Sequence, residues 1–195
     1  DQMQSLKAKG GILPKKVFMN YLNKKIIIID NSNLSYSGDD INGTIIRGTE
    51  SSLILLAEQF ARIGIEVDYC NSIDYMKRVK GVNYFNKKHI NKNSMYNLAI
   101  AISDANEFYR VSSIKKAVFS NSNQPIEKFI RKKQLLPFLK FKPTLITLCD
   151  YQLKKRSFFT SFYGKRTIPI TVDPKFLDIK IDKDHLPEKK VVYNI

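Results

Sequence analysis

The sequence predicts an α/β domain with a mostly parallel sheet and helices on both faces. Two observations carry this prediction: apolar runs of strand length recur along the chain, and a strand, a helix and a second strand follow one another between Lys24 and Cys70. Hydrophobic residues make up 43% of the 195 residues, which is typical of a globular protein. This length suffices for one domain of ordinary size and part of another.

The first predicted strand is KKIIIID, residues Lys24 to Asp30. A continuous run of β-branched side chains is typical of a central parallel strand that is buried on both faces. A long polar connection with Gly38, Gly43 and Gly48 follows it. Connections of this length are uncommon unless they have a function, so the sequence predicts a flexible functional loop.

The stretch RGTESSLILLAEQFARIG predicts an amphipathic helix. Thr49 or Ser51 would cap its start, and Glu50 would interact favourably with its N-terminal dipole. Gly64 would end it with a positive φ. IEVDYC then predicts a second strand and a right-handed crossover. The apolar face of the helix carries Leu53, Leu56, Ala57, Phe60 and Ala61.

Further elements are predicted along the rest of the chain. SDANEFYRVSS predicts a helix or a loop, and PIEKFIRKKQLLPFLKFK a basic helical region that begins at Pro125 and breaks or bends at Pro137. DYQLKKRSFFTSFYG predicts an amphipathic helix that ends near Gly164. The remaining predicted strands are GVNYF, NLAIAI, KAVFS, TLITLC and TIPIT.

The polar stretch from Val172 to Lys190, with two prolines, predicts a linker, and KKVVYNI after it predicts another strand. That strand either pairs with the preceding sheet or belongs to a truncated second domain, which is the expectation here. The expected organisation is an extra N-terminal segment or tail over residues 1–23 and an α/β domain over 24–172. A linker and the first strand of a second domain follow over 173–195.

The net charge of +15 and the pI of about 9.7 predict attraction to polyanions. Part of this excess is uninformative, because a genome rich in A and T raises lysine, asparagine and isoleucine together. No run of about 18 apolar residues is present, and the N-terminal stretch lacks the apolar middle of a secretory signal. These features predict a cytoplasmic protein.

Neither a metal site nor a disulfide is predicted. Cys70 and Cys149 each end an apolar run, where a buried thiol packs without a partner. His89 and His185 have no second ligand at metal-binding spacing. Adjacent aspartates in a polar loop, here Asp39 and Asp40, are usually solvated.

A strand, a glycine-bearing loop and a helix start, in this order, predict an anion site, because backbone N–H groups and the helix dipole converge there. The tight GxGxxG turn of a dinucleotide site is absent. RGTESSLILLAEQFARIGIEVDYC resembles the beginning of retaining GT-B glycosyltransferases of the family 4 type, where a GGxE turn opens a helix of the form LAxxLxxxGHEV. The matching residues are Gly48, Glu50, Leu56, Ala57, Phe60, Gly64, Glu66 and Val67.

Three later segments are similar to segments of that family in the same order: KKAVFSNSNQP, PTLITLCDYQLKKRS and TIPITVDPKFL. The chain departs from the family at Arg47, which replaces the first glycine, and at Ile65, which replaces a histidine. Ile170 and Thr171 stand where the family has Asn-Gly. The loop after KAVFS offers asparagines where family members often have a histidine.

The resemblance implies the Rossmann-like, acceptor-side domain of an enzyme that transfers a sugar from a nucleotide-sugar to a glycan or lipid acceptor of the cell envelope. It implies no cofactor and no required metal. The family's donor pocket and paired glutamates belong to a second domain, so the catalytic residues stay unassigned and this chain alone is expected to be inactive. The implied cleft residues are Gly43, Gly48, Thr49, Glu50, Asn121 and Asn123.

The basic helical region has two interpretations. Cations interleaved with apolar residues favour peripheral contact with the inner membrane face, and a solvated face over a packed apolar stripe is the alternative. The membrane-surface candidates are Arg131, Lys132, Lys133 and Lys140. A different functional class, a non-catalytic α/β module that binds nucleic acid or another polyanion, also fits the charge, although no known nucleic-acid-binding motif is present.

Overall fold

The structure is a computed structural model that describes residues 23–42, 46–120, 126–155, 158, 160 and 163–168. These residues form an α/β fold with one eight-stranded sheet. The strands are β1 (Lys25–Asp30), β2 (Glu66–Asn71), β3 (Lys77–Val79), β4 (Val82–Asn86), β5 (Met95–Ile102), β6 (Ser112–Ser120), β7 (Thr144–Thr147) and β8 (Lys165–Thr167). The α-helices are α1 (Gly48–Arg62), α2 (Ile126–Arg131), α3 (Leu135–Phe141) and α4 (Asp150–Lys154), and the 3₁₀ helices are η1 (Gly38–Asn42), η2 (Lys87–His89) and η3 (Ala105–Arg110).

The strand order is β3-β4-β2-β1-β5-β6-β7-β8, and β3 alone among these strands pairs antiparallel. From β1 the chain builds one side of the sheet through β2 and β4. It then returns to β5 on the other side of β1. The predicted Rossmann-like, mostly parallel sheet is confirmed, and its topological switch point lies between β1 and β5.

The core has two layers because β1 is buried on both faces. Ile26 and Ile28 belong to the cluster under α1, and Ile27 and Ile29 to the opposite cluster. Leu53, Ile54 and Ala57 of α1 complete the first cluster. Phe108 of η3, Phe129 of α2 and Phe138 of α3 complete the second. The run of four isoleucines in KIIIID follows from this two-sided burial.

The two ends of α1 differ in how well the sequence predicted them. The helix begins at Gly48 after an extended Arg47 that makes no side-chain capping bond, so the N-cap position is Arg47 and the predicted caps at Thr49 and Ser51 are wrong. Both residues lie inside the first turn instead, where the Ser51 N–H donates to the Arg47 carbonyl at 3.0 Å. Gly64 has a φ of 87° directly after the helix, as predicted.

The break in the basic helical region lies at Lys133 and not at Pro137. Lys133 has a φ of 53°, and its N–H donates to the Ile130 carbonyl at 3.0 Å, which ends α2. Pro137 is the third residue of α3. The predicted break there is wrong because a proline in the first turn removes no helical hydrogen bond.

Four other predictions need correction or stay open. The helix α4 ends at Lys154 and not near Gly164, and β8 begins before the predicted strand TIPIT. Residues 169–171 of that strand, and the linker and strand predicted over 173–195, lie outside the described residues. Both cysteines are free as predicted, but Cys149 is exposed while Cys70 is buried.

Two connections on one side of the sheet were not predicted. Lys80 and Gly81, with φ of 46° and 85°, form a two-residue turn that joins β3 to β4 as a hairpin. Residues 87–94 carry the chain from β4 to β5 with only η2 and no α-helix. In the described ranges, no helix is both long enough and apolar enough to cross a bilayer.

We expect Gly38→Ala to destabilise the fold. A Cβ at this position would lie 3.0 Å from Glu58 Oε1, 3.1 Å from Val79 Cγ1 and 3.2 Å from the Tyr84 hydroxyl. Such overpacking costs about 1–3 kcal/mol. A Cβ at Gly48 would meet open space, so Gly48→Ala is the matched control and should stay within about 0.5 kcal/mol of the wild type. Urea unfolding measures both, and an equal effect of the two substitutions would contradict this packing.

Candidate functional site at the carboxyl edge of the sheet

Asp30 ends β1 at the switch point and is 3% exposed. Its Oδ1 accepts the Ser32 backbone N–H at 2.8 Å, and its Oδ2 accepts the hydroxyls of Ser32 at 2.7 Å and Tyr36 at 2.6 Å. These donors compensate the carboxylate for the loss of water. Asp30 therefore fixes the course of the loop that leaves β1.

The same loop is held from two further elements. Asn71 at the end of β2 donates to the Tyr36 carbonyl at 2.7 Å, and the Ser72 hydroxyl donates to the Ser32 carbonyl at 2.9 Å. Lys87 Nζ donates to the carbonyls of Asn31 and Ser32 at 3.3 and 3.2 Å. Over residues 31–42 the predicted flexible connection is thus a hydrogen-bonded one.

Two buried tyrosines extend this network towards α1. The Tyr36 and Tyr69 hydroxyls are 2.9 Å apart, and because Tyr36 donates its proton to Asp30, Tyr69 donates to Tyr36. Burial raises the pKa of Tyr69 well above its usual value, and the negative charges of Asp30 and Glu50 add to the rise. Both hydroxyls therefore stay protonated, and the network keeps one hydrogen-bond direction.

The start of α1 brings Gly48, Thr49 and Glu50 to this edge. Gly48 is exposed, whereas Glu50 is 6% exposed and its Oε2 has no hydrogen-bond partner in the structure. A buried carboxylate oxygen without a donor costs about 1–3 kcal/mol. A hydroxyl or amine from a ligand would remove that cost. The other predicted cleft residues, Gly43, Asn121 and Asn123, lie outside the described residues.

A second group of carboxylates follows β5 on the other side of the switch point. Asp104 Oδ2 accepts the side-chain amide of Asn31 at 2.9 Å, and Oδ1 accepts the backbone N–H of Asn106, which caps η3. Glu107 is 4% exposed and its Oε2 lies 3.0 Å from Arg110 Nε. Burial raises the pKa of Glu107, and the charge of Arg110 opposes the rise.

A partial signal for this group is present in the sequence. Asp30 ends the predicted strand KKIIIID, and Asp104 lies two residues after the end of the predicted strand NLAIAI, which is where ligand-binding residues of α/β sheets collect. That β1 and β5 are neighbours follows only from the strand order, so the residues could not be grouped from sequence. Lys87 and Glu107 carried no local signal.

The membrane-surface candidates lie around the turn between α2 and α3. Arg131, Lys132, Lys133 and Lys140 are all exposed. Lys140 Nζ lies 4.8 Å from the centroid of the Tyr109 ring. The turn is fastened to the loop after β5, because the buried Gln134 donates to the Ser103 carbonyl at 3.0 Å. The basic surface therefore borders the carboxyl edge.

A cavity of about 470 Å³ lies elsewhere, against β2, β4 and the crossover from β4 to β5. In its wall is Asp68, which is 5% exposed and accepts Asn83 Nδ2 at 2.9 Å and the Tyr96 hydroxyl at 2.8 Å. Lys25 Nζ is 3.2 Å from the same carboxylate. Asp68 is satisfied within the chain, so its role is structural.

The aspartate pair of the loop is engaged in structural contacts. Asp39 forms an ion pair with Lys77, and Asp40 accepts the Ser37 backbone N–H at 2.8 Å. Within the described part of the chain, no group of three histidine, cysteine, aspartate or glutamate side chains is arranged to hold a metal ion.

The fold and this edge define an α/β domain of Rossmann-like topology with a candidate ligand site at its switch point. No family model, no curated protein and no solved structure matches the chain.

We expect Tyr36→Phe to lower the free energy of unfolding by about 1–3 kcal/mol, because Asp30 loses a buried donor and Tyr69 loses its acceptor. Tyr75→Phe is the matched control, since Tyr75 is 53% exposed. Urea unfolding of the two variants measures the difference. Equal stabilities would contradict the role of this network.

Glu107→Gln should change how stability depends on pH. Because burial raises the pKa of Glu107, the folded chain binds its proton more tightly than the unfolded chain does, and the wild type loses stability as pH rises through this interval. The variant lacks this titration. Its stability relative to the wild type should therefore increase as the pH rises above the usual glutamate pKa of about 4.3. Parallel pH curves in urea unfolding would contradict the prediction.

Proposed function

We propose that this chain is the Rossmann-like, acceptor-side domain of a retaining GT-B glycosyltransferase that moves a sugar from a nucleotide-sugar to a glycan or lipid acceptor. The observation that carries the proposal is the start of α1. There an exposed glycine and a buried carboxylate, whose Oε2 has no hydrogen-bond partner among the described residues, lie next to the loop fixed by Asp30, and the N-cap residue Arg47 makes no side-chain capping bond.

The chemistry of this edge fits a sugar and a diphosphate. Sugar hydroxyls are hydrogen-bond donors, and Glu50 Oε2 offers an acceptor without a partner in the structure. The first turn of α1 offers backbone N–H groups and the positive end of a 15-residue helix, which favour a phosphate oxygen. The open space at Gly48 lets a ligand approach the backbone.

Catalysis in such an enzyme depends on positioning and on stabilising the departing diphosphate. In this proposal Gly48, Thr49 and Glu50 contribute to the cleft from the acceptor side. The resemblance assigns the donor pocket to a second domain. The 195-residue chain alone should therefore show negligible turnover with any nucleotide-sugar.

The alternative, a module that binds nucleic acid without catalysis, gains no support at this edge. A duplex would have to place successive phosphates along the edge past the carboxylates of Asp30 and Asp104, whereas a single diphosphate needs only the start of α1. A nucleic-acid binder would show steep salt dependence on random duplex DNA. The absence of that dependence would remove the alternative.

Pyrophosphate, the group common to nucleoside diphosphate-sugars, is the probe for this site. We expect it to shift the amide NMR signals of Gly48 and Glu50 in the isotope-labelled chain. Gly48→Ala should weaken pyrophosphate binding about tenfold. The added Cβ keeps the phosphate from the backbone at this position, which removes one charge-assisted hydrogen bond. The same substitution should leave stability unchanged, since the added Cβ meets open space.

The titration also has an outcome that overturns the proposal. If pyrophosphate shifts only signals between residues 131 and 142, or binds Gly48→Ala as tightly as the wild type, the start of α1 is not the anion site. Glu50→Gln is a second variant for sugar binding. Glutamine keeps the shape of the side chain but removes its charge. The substitution should therefore change the amide NMR shifts that UDP-glucose and GDP-mannose cause in the chain.

A further inference from the structure

The α2–α3 surface consists of Ile130, Leu136 and Leu139 together with the four cations Arg131, Lys132, Lys133 and Lys140. Its apolar side chains are 63%, 73% and 49% exposed. Exposed apolar side chains are common singly, but here they stand among cations on two consecutive short helices. This combination needs an explanation beyond solubility.

The exposure follows from how the two helices pack. Phe129 of α2 and Phe138 of α3 both point into the core, with ring centroids 4.7 Å apart in an edge-to-face arrangement. Because Phe138 faces inward, Leu136, Leu139 and Lys140, which share the other side of α3, face outward. The packing of Phe129 and Phe138 in the core therefore determines that these apolar side chains are exposed.

The α2–α3 surface also has a fixed position relative to the candidate site. Gln134, 2% exposed, bonds the loop after β5 through Ser103 and Ala105, and Asn106 Nδ2 donates to the Lys132 carbonyl at 3.3 Å. Asp104 of that loop contacts Asn31 at the switch point. A molecule bound at the α2–α3 surface thus lies next to the carboxyl edge.

We propose that the α2–α3 surface docks this chain onto an anionic lipid bilayer. The cations are attracted to lipid headgroups, and the leucine and isoleucine side chains enter the interface between headgroups and acyl chains. Tyr109, 49% exposed beside Lys140, adds an aromatic ring of the type that prefers this depth. Nucleic acid would use the cations but would leave the aliphatic side chains in water.

Membrane docking does not depend on the proposed sugar transfer. If both proposals hold, the acceptor of the transfer is a lipid-linked molecule. A lipid-linked acceptor would hold its sugar near the carboxyl edge while its lipid stays in the bilayer. In that respect alone this inference rests on the proposed function.

Co-sedimentation with vesicles tests the docking. The full chain should bind vesicles of phosphatidylglycerol and phosphatidylcholine and should not bind vesicles of phosphatidylcholine alone. The double variant Leu136→Ser, Leu139→Ser should lose about tenfold in affinity, since two aliphatic side chains no longer enter the interface. Ile114→Ser is the matched control, because Ile114 is 69% exposed on β6 outside this surface, and it should bind like the wild type.

The charge contribution is tested separately with Lys132→Gln, Lys133→Gln, which should also weaken vesicle binding. Circular dichroism should show that all variants keep the fold, since the substituted side chains are exposed. Vesicle binding that the leucine variant leaves unchanged would overturn the proposal. If that variant and the wild type also bind random duplex DNA equally well, the surface binds polyanions in general and not a bilayer. Pyrophosphate binding at Gly48 is measured without vesicles, so the two proposals can fail separately.

Discussion

The buried carboxylate of Asp30 is the interaction on which the carboxyl edge depends. An ionised carboxylate away from water is costly unless donors surround it, and here the donors come from Ser32 and Tyr36 of the loop that Asp30 begins. Any other course of residues 31–36 would leave the carboxylate without them. These bonds favour the observed course of the loop, and Tyr69 connects it to the strand beside β1. Glu50, whose charge acts on Tyr69, belongs to the same electrostatic group.

The short crossover from β4 to β5 has consequences on both sides of the sheet. Parallel strands are usually joined through an α-helix that covers the sheet, and residues 87–94 contain only the short 3₁₀ helix η2. The sheet face against β2 and β4 accordingly carries Asp68 with its donors Asn83 and Tyr96, so a satisfied polar network takes the place of an apolar contact. Lys87, at the start of the crossover, reaches the carbonyls of Asn31 and Ser32. The same connection thus leaves one surface open and fixes the candidate site.

Local patterns predicted the parts of this fold that depend on local physics. The β-branched run of β1, the apolar stripe of α1 and the positive φ of Gly64 are properties of short segments, and all three are confirmed. The predictions that failed concerned the residues at which helices begin and end. A proline breaks a helix when it lies in the helix interior. Because α2 ends at the turn with Lys133, Pro137 lies in the first turn of a new helix, α3. The predicted cleft residues were Gly43, Gly48, Thr49, Glu50, Asn121 and Asn123, and the structure describes only Gly48, Thr49 and Glu50 of these. Asp104 and Glu107 were not predicted, because they reach this edge through strand order, which no local pattern reveals.

The net charge of +15 does not predict which ligand each surface of the chain attracts. Charges in solution are screened over about 8 Å at physiological ionic strength, so each surface is governed by its own residues. At the carboxyl edge these are mainly carboxylates, which accept hydrogen bonds from hydroxyl groups. On the neighbouring α2–α3 surface they are cations and aliphatic side chains. A nucleic acid, which carries phosphates along its whole length, complements only the α2–α3 surface. A ligand with an anionic, lipid-bearing part and a sugar part complements both, and the contact of Gln134 with the loop after β5 holds them at a fixed separation.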